Sequence, residues 1–318
     1  MSLSLITMQH NGNAYDIADF VSSGVTFGDN INKAGVITFT VKKDSSILME
    51  EGSRVFLKYD DVPYFSGFVF KKSYKNGNGI EVTAYDQLRY LKTQDTYVFN
   101  GITAKHAIAI ICNDFKLVTG EFQDTGYKLP SLIFDNKNIL DIVSDLLTCT
   151  MTKTKQIFIL KDNAGLIELR NIYNNISDII IDPECNMFEY DYTRSIDDNT
   201  YNQIKLVQDN KTTGSRDLYI ARDSSTIAKW GLLQMTEKVD DNLNAAQIKA
   251  MADAYLSLKN KVQKNLSLNV IGDKRIRSGN VICVNMPEIN ISELLLCTEA
   301  KHTFESTSHT VSVTFRMI

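Results

Sequence analysis

Gly52-Ser-Arg-Val55-Phe-Leu57, Tyr64-Phe-Ser-Gly67-Phe-Val-Phe70 and Ile80-Glu-Val-Thr-Ala84 are three short segments whose order decides the reading of this chain. The same plan returns near the far end. There Gly279-Asn-Val281-Ile-Cys283-Val284 leads through Met286-Pro-Glu into Leu294-Leu-Leu-Cys297, and then into Val311-Ser-Val-Thr-Phe315. The two sets share little identity, but order, spacing and alternation agree. Alternating polar and apolar residues between Gly, Asn and Asp turns mark half-buried strands of small barrels or sandwiches. Two copies predict a duplicated β-domain, a device for building symmetric assemblies.

At 318 residues the chain has room for two or three domains. A hydrophobic fraction of 43% and a charged fraction of 23% are those of a globular protein, not a disordered one. The net charge is −4 and no Lys/Arg run forms a phosphate-binding stripe, which argues against sequence-specific nucleic-acid binding. No apolar run is long enough to span a bilayer, so no stable membrane association is expected. Met1-Ser-Leu-Ser-Leu-Ile lacks the basic start and apolar core of a signal peptide. Five scattered cysteines (Cys112, Cys149, Cys185, Cys283 and Cys297) suit a reduced site of synthesis and predict no disulfide framework.

Residues 1–97 read as a first β-barrel-like domain, with Val36-Ile-Thr-Phe-Thr-Val41 half-buried and Asn76-Gly-Asn-Gly79 as a tight turn. Residues 98–190 read as a small α+β domain. Thr103 caps one helix with an apolar stripe of Ile108, Ile111, Cys112 and Phe115, and Gly120 lies past its end. A second helix starts near Asn138 and presents Ile139, Ile142, Val143, Leu146 and Leu147 on one face. Ile157-Phe-Ile-Leu160 and Leu166-Ile-Glu-Leu169 form a hairpin. Residues 191–318 read as a second β-barrel-like domain with strands at 202–207 and 216–220. A helix at about 243–261 is inserted in it, capped by Asn242 or Asn244. The fold class is thus mainly β with an α+β insertion.

The run Tyr85-Asp-Gln-Leu-Arg-Tyr90-Leu, behind Phe65-Ser-Gly67-Phe and Ile80-Glu-Val-Thr-Ala84, resembles the baseplate hub proteins of contractile phage tails. The form it is similar to occurs in PBSX-like prophages and phage-tail bacteriocins. Asp95-Thr-Tyr-Val-Phe99, Phe122-Gln-Asp-Thr-Gly126-Tyr and Trp230-Gly-Leu-Leu-Gln234 carry the likeness on, in order, toward the C-terminus. The resemblance implies a structural part: a homotrimer whose three chains present six similar β units and join a six-fold tail tube to a three-fold spike. It implies as partners the tail tube protein, the central spike, other baseplate proteins and the tape-measure protein, with DNA only transiting the channel. It also implies a place in a phage or bacteriocin particle, assembled in the bacterial cytoplasm and released by lysis.

The rival reading is a tail-tip peptidoglycan hydrolase or cell-wall-binding protein, so catalytic parts matter. His10, His106, His302 and His309 read as surface or turn residues, because no Cys or carboxylate stands at metal-ligand spacing beside them. Asp60-Asp61, Asp197-Asp198 and Asp240-Asp241 read as turns and caps rather than a Ca²⁺ loop or a glycosidase pair. Ser22-Ser23-Gly24 begins no helix behind a buried strand, as a phosphate cradle would need. Trp230 reads as a core anchor ahead of a subunit contact. The sequence therefore predicts no catalytic residue, no cofactor and no metal.

Overall fold

In this computed structural model the described residues are 2–9, 12–42, 49–74, 79–197, 199–210, 214–239 and 243–317. The N-terminal strands are β1 (Leu3–Met8), β2 (Ala14–Asp16), β3 (Val25–Asn30), β4 (Val36–Lys42), β5 (Arg54–Tyr59), β6 (Val62–Tyr74) and β7 (Gly79–Tyr85). An α+β stretch follows, comprising β8 (Gln94–Phe99), α1 (Ala104–Asp114), β9 (Thr119–Phe122), β10 (Leu132–Asn138), α2 (Ile139–Thr154), β11 (Phe158–Asn163) and β12 (Leu166–Asn171). Then come β13 (Ile176–Ile181), β14 (Met187–Ser195), β15 (Gln203–Asn210), β16 (Ser215–Arg222), α3 (Ser224–Trp230), β17 (Gln234–Lys238) and α4 (Ala245–Lys259). The chain ends in β18 (Gln263–Ile271), β19 (Val281–Met286), β20 (Ile291–Phe304) and β21 (His309–Met317).

The chain divides into two compact units, Met1–Asp191 with Leu266–Ile318, and Tyr192–Asn265. This cut differs from the boundaries at 97 and 190 read from sequence. The physical reason is one 13-stranded sheet, in the order β14-β18-β21-β20-β3-β4-β7-β6-β5-β1-β2, with β19 on β20 and β13 on β19. Both related β regions exist, but β3 hydrogen-bonds along β20, so early and late strands share one sheet.

The α+β stretch follows its local signals closely. Thr103 caps α1 by accepting from the His106 N–H, and Asn138 caps α2 by accepting from the Leu140 N–H. Ile108, Ile111 and Cys112 join Ile139, Ile142, Val143, Leu146 and Leu147 in one core with Leu88, Leu91, Leu160 and Leu169. The chain leaves α1 through Lys116, at φ 53°, rather than at Gly120, which lies in β9. The β11–β12 hairpin turns at Ala164 and Gly165, both at positive φ.

The second unit is larger than the single inserted helix read from sequence. β15 pairs antiparallel with β16 and parallel with β17. Helix α4 begins in a capping box of Asn244 and Gln247, so Asn244 is the cap; Asn242 lies outside the described residues. Ile248 and Ala252 bury against Ile204, Leu206 and Ala221, while Met251, Tyr255 and Leu256 pack at the margin. A separate small core explains why the segment is its own unit.

Candidate assembly surface

The repeat read from the sequence is present down to single hydrogen bonds. In the first copy, β3, β4, β5, β6 and β7 lie in the spatial order first, second, fifth, fourth, third. In the second, β14, β18, β19, β20 and β21 lie in the same order. Gly52 donates its N–H to the Val69 carbonyl at 2.8 Å, and Val69 donates to Ser53 at 2.9 Å. Gly279 donates to Cys297 at 2.8 Å, and Cys297 donates to Asn280 at 2.9 Å. Gly52 and Gly279 both have left-handed φ, at 86° and 81°, which explains glycine at each. A bulge follows at matching places: β6 against β7 shifts between Val69 and Lys71, and β20 against β21 shifts between Cys297 and Glu299. The two copies differ in one connection. The first joins its opening strands through residues 31–35; the second joins them through residues 196–262, which make up most of the second unit.

The seam between the copies is locked by charge. Along it Val25–Asn30 of β3 pair with Phe304–Glu299 of β20. From β3, Asp29 accepts from Arg277 Nε at 2.6 Å and from the Ser278 hydroxyl at 2.7 Å, and all three residues are buried. Burial pushes the Asp29 carboxyl up. The Arg277 and Lys161 charges and the Ser278 hydrogen bond outweigh that and hold it below the ordinary carboxylate range. Burial, then the Arg277 charge, lower the Lys161 ammonium to about 8. The guanidinium also lies 5.0 Å from the Phe27 ring centroid.

The run Tyr85-Asp-Gln-Leu-Arg-Tyr90-Leu ties the β copy to the α+β stretch. Asp86 accepts from the Gly35 N–H at 2.6 Å, closing the β3–β4 turn, and from the Leu88 N–H at 3.0 Å, capping a 3₁₀ turn. Gln87 donates to the Gly165 carbonyl at 2.7 Å and accepts from the Val118 N–H at 2.8 Å. Leu88 and Leu91 then enter the helical core. Burial, then the neighbouring Asp162 charge, raise the Asp86 carboxyl well above its ordinary value. Burial raises Asp162 as well. This short run therefore binds three parts of the fold.

His302 and His309 are not surface residues. Both are buried, their Nδ1 and Nε2 lie 2.9 Å apart, and His302 Nε2 meets the Ile276 carbonyl at 2.9 Å. They sit in an aromatic cluster with Phe27, Tyr59, Tyr64 and Phe304. Strand alternation puts His302 on the same face as the buried Ala300 and Phe304, a signal the sequence carried. Burial, with the Arg277 and His309 charges next, lowers His302 to about 3; burial lowers His309 to about 4.

His106 lies in the first turn of α1 with its Nδ1 2.8 Å from the hydroxyl of the capping Thr103, and His10 lies outside the described residues. Among the described residues no group of His, Cys, Asp and Glu could hold a metal ion. Asp60 and Asp61 both take left-handed φ in the β5–β6 turn, and the Asp197 N–H donates to Ser195. Asp198, Asp240 and Asp241 lie outside the described residues, as do residues 76–78 of the predicted tight turn. Trp230 is half-buried at the end of α3, a helix with no buried residue, so it is not a core anchor. Cys112 and Cys297 are buried thiols; burial pushes Cys112 up to about 12.

A fold of this topology is the fold of phage tail proteins. The 43 kDa tail protein of prophage MuSo2 from Shewanella oneidensis is similar with a TM-score of 0.71 at 12% identity, over 99% of this chain and 98% of that one. The Escherichia coli c3393 protein is a type VI secretion component reported to resemble the T4 tail proteins gp27 and gp5. It gives 0.60 at 10% identity over 93% and 73% of the two chains. In sequence, the phage-like element PBSX protein XkdQ of Bacillus subtilis is 32% identical over 269 residues, covering 83% of this chain and 81% of XkdQ. Residues 25–316 match the YqbQ-like family. The chain belongs to that family and is a phage-tail-type protein.

Proposed function

We propose that the chain is the non-enzymatic hub of a baseplate, trimerising to join a six-fold tail tube to a three-fold spike. The duplicated five-stranded topology carries this reading. Six quasi-equivalent edges are needed to meet a six-fold ring, and three chains supply them only when each carries two. The likeness to a protein compared with gp27 and gp5, and the kinship with a PBSX protein, support the same role. On this reading the partners are the tube, spike, tape-measure and other baseplate proteins. The particle is a phage or phage-tail bacteriocin, assembled in the cytoplasm and released by lysis.

Light scattering on the purified chain, alone and mixed with its spike, tests the trimer. Three chains per particle is the expected result, and a monomer under both conditions overturns the reading. A zymogram against purified cell wall tests the absence of catalysis: no clearing is expected, and clearing would favour a peptidoglycan hydrolase.

A further inference from the structure

The outer faces of the two β copies differ in what covers them. In the second copy Val281 of β19 stands opposite Leu296 of β20, and both bury against Ile159 of β11 and Ile172 just past β12. The equivalent pair in the first copy is Arg54 of β5 opposite Phe68 of β6, and both stay partly exposed. The next strand extends the comparison: Arg316 stands opposite Leu296 in one copy, and Tyr85 opposite Phe68 in the other. Where the second copy presents an aliphatic patch to β11, the first carries a row of arginines and rings. The Arg54 guanidinium lies 5.1 Å from the Phe56 centroid and 5.7 Å from that of Phe68. Tyr90, 40% accessible, packs at 5.8 Å against Phe68 and at 5.7 Å against Phe70. Arg89 then lies 5.2 Å from Phe70 and 5.9 Å from Tyr85.

The row runs into a cleft of about 630 Å³ between the β3–β4 turn and the start of α2. Lys33, Arg89 and Lys92 line it, and among the described residues Asp141 is the only carboxylate on its wall. None of Arg54, Arg89, Lys33 and Lys92 forms an ion pair among the described residues, and Arg54 Nε is buried with no hydrogen-bond partner. A chain of net charge −4 thus gathers on one face four cations that lack a paired carboxylate. Aromatic rings with arginines are the composition of protein-binding hot spots, and guanidinium groups partly removed from water favour carboxylate partners.

We propose that this face binds an acidic segment of a different protein, with its apolar side chains on the rings and its carboxylates on Arg54, Arg89, Lys33 and Lys92. The cover that β11 gives the second copy from inside the chain is supplied to the first from outside it. This goes beyond the hub reading and does not depend on the trimer. Nucleic acid fits less well, because guanidinium groups occupy the ring faces on which bases would stack. A second copy of the chain fits less well too, since two bodies of charge −4 repel each other.

Fluorescence anisotropy on the full chain at low salt tests this. The probe is a fluorescent peptide alternating Glu with Leu, run beside its Lys–Leu counterpart and an oligothymidylate. The Glu peptide should bind and the other two should not. Arg54→Gln with Arg89→Gln should weaken its binding about tenfold or more. Lys33→Glu with Lys92→Glu should do the same, and since both lysines are exposed this pair should leave the circular dichroism spectrum and melting temperature unchanged. Lys229→Gln, in the second unit, should leave binding as it is in the wild type. A Glu peptide that does not bind, or binding that survives both pairs, overturns the proposal and leaves the hub reading standing. Oligothymidylate binding lost in the same variants would make the face a nucleic-acid site, and self-association lost in them would make it a contact between copies; either result also overturns the proposal.

Discussion

At the scale of the residue, the buried charges decide most. Arg277 is the main counter-charge to a fully buried Asp29, so removing it strands a carboxylate in the sheet seam. Arg277→Met should cost about 3–5 kcal/mol in urea unfolding, and adding Asp29→Asn should recover part of that loss. The histidine pair gives a pH signature. Both folded values, about 3 and about 4, lie below the unfolded value near 6.5, so the unfolded chain binds protons that the folded chain refuses. Their contribution is complete above pH 6.5 and is lost on acidification toward pH 4, at about 1.4 kcal/mol per pH unit for each group. Asp86 and Asp162, raised in the fold, oppose this trend in part. His309→Gln should therefore shrink the fall in melting temperature between pH 6.5 and 4.5; an unchanged fall would show that the pair does not sit neutral in the core. None of these partners was legible in sequence, because Asp29 and Arg277 meet only across a long-range seam. The parity of His302 was legible, as it follows the apolar positions of its own strand.

Elements were the most readable level, since caps and stripes are local. Thr103, Asn138 and Asn244 all cap the helices that their sequence context announced. Asn244→Ala should lower the stability of its unit by about 1 kcal/mol, read from thermal melting or from hydrogen exchange in α4. The glycines that open each meander are a harder constraint. An added Cβ at Gly279 would overlap the Ile159 side chain, and its φ of 81° disfavours any side chain. Gly279→Ala should cost about 1–3 kcal/mol from backbone strain, with the overlap adding to it, and its soluble yield should fall below that of the wild type. Gly120 lies past the end of α1 as its sequence indicates, but the left-handed turn out of the helix is taken earlier, by Lys116.

For the whole molecule, the repeat was legible as pattern while its join was not. Alternation reports which residues face a core, but it carries no record of which edge meets which, and β3 lies far in sequence from β20. The inserted unit escaped notice for a related reason: its strands look like any others until their pairing isolates them. Because the first copy spans the equivalent gap with residues 31–35, the second should tolerate the same economy. Replacing residues 196–262 with a five-residue Gly-containing turn should give a soluble chain that keeps the far-ultraviolet β signature; an insoluble or unfolded product would show that the remainder depends on the insert.

The join of β3 to β20 also sets a clock on synthesis. Residues 25–30 leave the ribosome long before residues 299–304, so the nascent chain must hold its first β copy with a bare flank until β20 has been made. Products terminated before β20 lack the strand that would cover it, and they should be cleared by proteases or chaperones faster than chains that complete the pairing.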